Sequence, residues 1–125
     1  MLGSRLYTSR PVLPLGSTKA MINIDHVGAG DGVLTLRVTE LQKSTLKEAG
    51  WATGLVKKLD YYGFSPGGDD GPFKEAGIPT VSIASGGAHP HLHQPTDTAD
   101  TINPEILRTI ARYVLALTWQ LANTP

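Results

Sequence analysis

The sequence of 125 residues contains no cysteine. This excludes disulfides, iron–sulfur clusters and thiolate zinc sites, and leaves His, Asp and Glu as the side chains able to hold a metal. It also lacks a charge excess, since 11 basic residues balance 11 acidic ones. No basic run with interleaved aromatics occurs, so neither nucleic acid nor an anionic membrane is expected as a partner. No apolar run approaches the roughly 18 residues of a spanning helix. The segment MLGSRLYTSR lacks the apolar core of a signal peptide, so the chain as written is expected to carry no export address. What is present is ordinary for a globular protein: 40% hydrophobic residues, enough for a core burying about two thirds of the unfolded surface. Without a repeat, a low-complexity tract or a linker, residues 1–125 are expected to form a single domain.

Periodicity assigns the elements. Thr18 to Asp25 is an apolar run with Met21, Ile22 and Ile24, which predicts a buried strand with Asp25 at its C-terminal edge, where open α/β sheets place ligands. After the turn GAGDG, Val33 to Thr39 alternates Leu34, Leu36 and Val38 with polar neighbours, predicting a half-exposed strand antiparallel to the first. Ser44 to Leu59 reads as a helix capped by Ser44, although Gly50 and Gly54 weaken it. Asp60 to Phe64 suggests a short strand, followed by the loop SPGGDDGP. Pro72 to Ala76 suits one helical turn with Pro72 first and Gly77 as its stop. Ile78 to Ala84 predicts a second buried strand. The last helix starts with Asn103 as cap, Pro104 in the first turn and Glu105 complementing the dipole, and continues to Asn123. The class is therefore α/β.

The richest segment chemically is HPHLHQPTDTAD, His89 to Asp100, where three histidines at alternating positions run into two carboxylates. Imidazole and carboxylate are ligands zinc accepts, and Pro90 and Pro95 exclude a helix. Solvated histidines in a polar surface loop are the ordinary alternative.

Three segments carry a resemblance: MINIDHVG (Met21 to Gly28), GDDGPFKEAGIPTV (Gly68 to Val81) and HPHLHQPTDTADTINPE (His89 to Glu105). In order and spacing they resemble the motifs of the zinc-dependent aminopeptidase superfamily, which includes bacterial leucyl aminopeptidases, aminopeptidase Y and glutamate carboxypeptidase II. The final helix resembles that family's C-terminal helix. The resemblance implies a three-layer α/β/α fold with a mostly parallel mixed sheet, truncated relative to the full peptidase domain. It implies an exopeptidase acting at N-terminal peptide bonds, with two zinc ions bridged by an aspartate and a water, and relatives that are often secreted or periplasmic. Matched by motif, Asp25 takes the place of an aspartate ligating one zinc and His93 that of a histidine ligating the other. His89, Pro90, Pro95, Asp97 and Thr98 match the frame around that histidine, with Asp97 and Thr98 expected to brace the loop. His26 stands where a methionine is common, and His91 at a variable position.

The departures are equally specific. The family's bridging aspartate, its neighbouring histidine and its Glu-Glu pair precede the strand matched by Thr18 to Asp25, and GSRLYTSR resembles the segment that follows that pair. The general-base glutamate is therefore expected upstream of Met1, no catalytic residue is assigned within the chain, and Asp25 and His93 are two of five expected ligands. The chain is expected to be the C-terminal half of the catalytic domain. One ligand per metal does not compete with water for zinc at ordinary concentrations, so occupancy is not expected from this chain alone. Gly68, Asp69 and Asp70 replace a common Ser-Asp-His, making Asp69 and Asp70 candidate substrate or supporting residues. Leu92 replaces a tyrosine proposed to bind the oxyanion, a loss of the kind that costs about 10²- to 10³-fold in rate.

Two other readings compete. One is a non-catalytic module of the same fold, as the transferrin receptor ectodomain is, with a second copy or partner chain covering an exposed strand edge. The other is a rebuilt hydrolase or esterase, using His89, His91 and His93 on an extended segment, or Ser85 with a loop histidine and Asp97.

Overall fold

The computed structural model describes residues 1–63 and 67–124. Four strands form one mixed sheet: β1 (Met21–Ile24), β2 (Leu34–Thr39), β3 (Leu59–Tyr62) and β4 (Thr80–Ser85), in the order β1-β4-β2-β3. β1 is parallel to β4 and β2 to β3, while β2 and β4 are antiparallel. The helices are α1 (Leu2–Ser9), α2 (Lys43–Thr53), α3 (Asp70–Glu75) and α4 (Pro104–Asn123). The fold is α/β, as the sequence predicts. Among the described residues no helix is long and apolar enough to cross a membrane.

Strand alternation gives the sheet two unlike faces. Register sets Leu36 opposite Ile83 and Val38 opposite Val81, with Ile22 beyond Val81 on β1. α2 and α4 close this apolar face with Leu46, Ala49, Ile110, Tyr113 and Leu117. The spacing of the last three puts them on one stripe of α4. Tyr113 donates its hydroxyl to the Leu46 carbonyl at 3.1 Å, and burial raises its phenol well above the ordinary value. α4 starts where the sequence places it, because the Asn103 side chain accepts from the Glu105 and Ile106 amides at 2.9 and 3.3 Å.

The opposite face is polar. Ser82 lies between Asn23 and Arg37 in register, and its Oγ accepts from both, at 2.9 and 3.1 Å. α3 lies on this side and meets Arg37 through Asp70 at 3.5 Å. α1 packs on α3 through Tyr7 and Phe73, stacked with ring centres 5.6 Å apart. The sequence reading assigned no element to Leu2–Ser9, and this helix has no fully buried residue.

Several expectations are corrected. β2 runs opposite to β1 but does not pair with it; β4 stands between them. α2 begins after Gln42 rather than at a Ser44 cap, and the Ser44 hydroxyl bonds the Gln42 side chain instead. It ends at Gly54, whose left-handed φ of 73° stops the helix well before Leu59. α3 starts at Asp70, so Pro72 is not its first residue, whereas Gly77 stops the turn at φ 76° as expected. The expected strand Asp60 to Phe64 is observed as Leu59–Tyr62; Phe64, together with Ser65 and Pro66 of the expected loop, lies outside the described residues.

Candidate functional site

β1 and β4 are parallel neighbours, so their C-terminal ends open on the same edge, and the loops that follow them meet there. The Asp25 amide donates to the Ile83 carbonyl at 3.0 Å, and the Ser85 amide to the His26 carbonyl at 3.2 Å. Farther out, the Asp31 amide reaches the Gly86 carbonyl at 3.0 Å. That approach requires Gly30: at φ 82° a Cβ there would lie 1.8 Å from the Gly86 oxygen. The start of α4 is tied in as well, through the Asn103 amide to the Gly28 carbonyl at 2.7 Å.

These loops form a cleft of about 420 Å³ lined by Asp25, His26, His89, His91, His93 and Asp97, with Val27, Leu92 and Ile102 as apolar walls. Residues nearly seventy positions apart thus converge. Asp25 Oδ1 is 3.4 Å from His26 Nε2. The His26 ring centre lies 6.0 Å from that of His89 and 6.3 Å from that of His93. His26 and His93 have positive φ, 54° and 59°, and among the described non-glycine residues only Glu40 shares this conformation. Histidine enters this region more readily than most residues, and such outliers concentrate at functional sites.

The other histidines are engaged locally. His89 Nε2 donates to the Ser85 carbonyl at 2.9 Å, which anchors the loop to the end of β4. His91 Nδ1 is 3.0 Å from Thr96 Oγ1. Residues 90–93 form turns, so the extended segment that would put three histidines on one face is not observed. Nor do Ser85 and His89 form a nucleophile and base: the bond is to the Ser85 carbonyl, while its hydroxyl is buried on the apolar side without a partner. Thr98 donates to Asp100 at 2.6 Å, and that hydrogen bond holds the Asp100 carboxyl below the usual range, with a smaller contribution from His91.

Asp69 and Asp70 lie away from this cleft. Asp69 accepts from Ser4 of α1 at 2.6 Å, and this bond, with the Met1 ammonium, lowers its carboxyl. Asp70 is 1% exposed and forms an ion pair with Arg37 without hydrogen-bond geometry. A second pocket, also about 420 Å³, lies on the polar face and shares Asp25 and His26 with the first. Arg37, Thr35, Ser82 and Tyr62 line it. Sequence reasoning missed these four. The alternation of β2 places Thr35 and Arg37 on its polar side, but nothing local in the sequence marks them as site residues.

Among the described residues no group of three or more His, Asp or Glu is arranged to hold a metal. Asp25 and His93 share the cleft and have the right chemistry, so they fit a metal as contributors rather than as a full donor set.

Residues 1–118 match the model of peptidase family M28. Among solved structures, an aminopeptidase from Aneurinibacillus sp. strain AM-1 is similar with a TM-score of 0.78 at 27% identity, over 96% of this chain and 30% of that one. BSAP, a zinc aminopeptidase from Bacillus subtilis, gives 0.77 at 25% identity, over 95% of this chain and 32% of that one. The LapA aminopeptidase of Legionella pneumophila shares the fold, with a TM-score of 0.71 at 18% identity, over 98% of this chain and 36% of that one. The chain thus spans about a third of the length of these relatives. A search among curated proteins found no match.

Proposed function

We propose, from the premise that the chain belongs to peptidase family M28, that it supplies part of the active site of a zinc exopeptidase acting at N-terminal peptide bonds. The observation that carries this reading is the convergence of Asp25 and His93, from the ends of two parallel strands, on one cleft.

In this reading Asp25 and His93 each give one donor to one of two zinc ions. When bound, such a pair supplies polarisation of the scissile carbonyl and a water of lowered pKa. The chain's own residues hold and orient. The Ser85 carbonyl fixes the His89 ring, and the left-handed backbone at His93 turns the loop at the ligand position. His26, His91 and Asp97 stand around the donors as supporting or substrate-contacting groups, and Val27, Leu92 and Ile102 provide an apolar wall for a substrate side chain. The remaining donors and the general base are to come from polypeptide outside these residues.

The isolated chain should therefore bind zinc more weakly than about micromolar, because one protein donor per metal competes poorly with water. Isothermal titration checks this: weak binding that disappears in Asp25→Ala and His93→Ala supports the reading, and micromolar binding unchanged by either substitution contradicts it.

A second reading, a non-catalytic module of this fold, is favoured by one feature. Among the described strands β1 is an edge of the sheet, beside an apolar groove formed by Ile24, Val27, Leu107, Ala111, Val114 and Leu115. A second copy or partner chain covering that edge serves either reading. Sedimentation as a compact monomer, with the groove left open, counts against such a partner.

A further inference from the structure

We propose that His26 is itself a metal donor, its Nε2 sharing one ion with the Asp25 carboxylate. The inference rests on the zinc reading above for Asp25 and goes beyond it, because the family resemblance assigns no donor at this position, where a methionine is common. Distance carries the argument. Asp25 Oδ1 lies 3.4 Å from His26 Nε2, whereas a carboxylate and an imidazole paired only with each other close to about 2.7–2.9 Å. Two donors on one tetrahedral zinc, at about 2.0–2.2 Å each, stand roughly 3.4 Å apart. The two side chains therefore already have the separation of neighbouring corners of a coordination sphere.

The backbone brings them together against the habit of a strand. Consecutive strand residues point to opposite faces, and Asp25 and His26 directly follow β1. His26 instead has a left-handed φ of 54°, a conformation that costs a non-glycine residue free energy and persists only where its surroundings impose it. Here β4 imposes it: the Asp25 amide donates to the Ile83 carbonyl at 3.0 Å and the Ser85 amide to the His26 carbonyl at 3.2 Å. Glycine takes this backbone without strain, so an imidazole held in it points to a use for the ring.

The neighbouring rings are placed differently. His89 Nε2 is bonded to the Ser85 carbonyl and His91 Nδ1 to Thr96, whereas His26 turns its Nε2 to a carboxylate. Asp25 and His26 keep side-chain exposures of 55% and 39% and line both polar pockets, so an ion at the pair is open to water and to donors from polypeptide outside these residues. The His26 ring centre is 6.3 Å from that of His93, with the ring planes at 86°, so His93 stands beside the pair rather than within it. A second donor raises the affinity of the Asp25 ion without completing its donor set.

A zinc titration of the chain, followed through imidazole nitrogen and carboxyl-carbon NMR, tests this. His26 Nε2 and the Asp25 carboxyl should shift saturably on one isotherm. His26→Asn tolerates the left-handed backbone and removes the imidazole. It should move the Asp25 isotherm to at least about tenfold higher zinc, the least that loss of a group supporting a ligand costs, and leave that of His93 in place. An unmoved His26 Nε2 overturns the proposal, as does an Asp25 isotherm unchanged by His26→Asn. The wild-type titration decides even if the variant fails to fold. Asp25 and His93 responding without His26 overturns the proposal and leaves the two-zinc reading intact. Asp25 and His26 responding without His93 supports the pair and removes His93 from that reading.

Discussion

Leu36 and Arg37 are neighbours in β2, yet they belong to regions built on different principles. Leu36 is fully buried between β4 and the two long helices, where any apolar side chain of similar shape would serve. Arg37 lies on the opposite face among Ser82, Asn23 and Asp70, where position depends on hydrogen bonds and charge. The apolar face holds the sheet together. The polar face and the strand ends beside it carry Arg37, Asp25 and His26 and border both polar pockets. Burial therefore fixes the scaffold, and the scaffold delivers polar groups to an edge that it does not itself fill.

Substitutions on the two faces sharpen this contrast. Leu36→Ala should destabilise by about 2–5 kcal/mol, the cost of a cavity in a packed core, while Thr35→Ala next to it should cost well under half as much. Urea unfolding of both variants reads the difference, and equal losses would break the comparison. Arg37→Met should cost about 3 kcal/mol, because it leaves the Asp70 carboxylate buried without its cation. Replacing both partners by apolar residues should recover most of that loss, a result a single-site packing effect would not give.

The smallest effect concerns the loop edge. Thr98 hydrogen-bonds Asp100 and lowers its carboxyl, so this group contributes stability above its unfolded pKa and loses it as pH falls through the folded value. Thr98→Val should raise the Asp100 titration in carboxyl-carbon NMR. Any stability difference from wild type should be present at neutral pH and vanish in acid.

Much of the scaffold was legible because burial leaves periodic marks. β2 follows from alternation, β4 from a short, mainly apolar run and α4 from the apolar stripe through Ile110 and Leu117, and Asn103 announces its own cap. α1 was not assigned from the sequence and has no fully buried residue, and the pairing of β2 with β4 rather than β1 is a long-range choice that no local pattern encodes. The site divides in the same way. Motif order singled out Asp25 and His93, which the fold brings to one cleft. Asp69 and Asp70 belong to the same motif but lie elsewhere, one bonded to α1 and the other buried beneath Arg37. Arg37 itself was hidden because its significance comes from neighbours on β4 and α3, brought together only by the fold.

The central claim, that Asp25 and His93 are metal donors from two strand ends, is tested most directly by NMR of side chains during a zinc titration. Imidazole nitrogen and carboxyl-carbon resonances identify which groups meet the metal. The account predicts that His93 and Asp25 respond first and together and that His91 does not follow. Zinc that perturbs His91 while leaving His93 and Asp25 unmoved would contradict it.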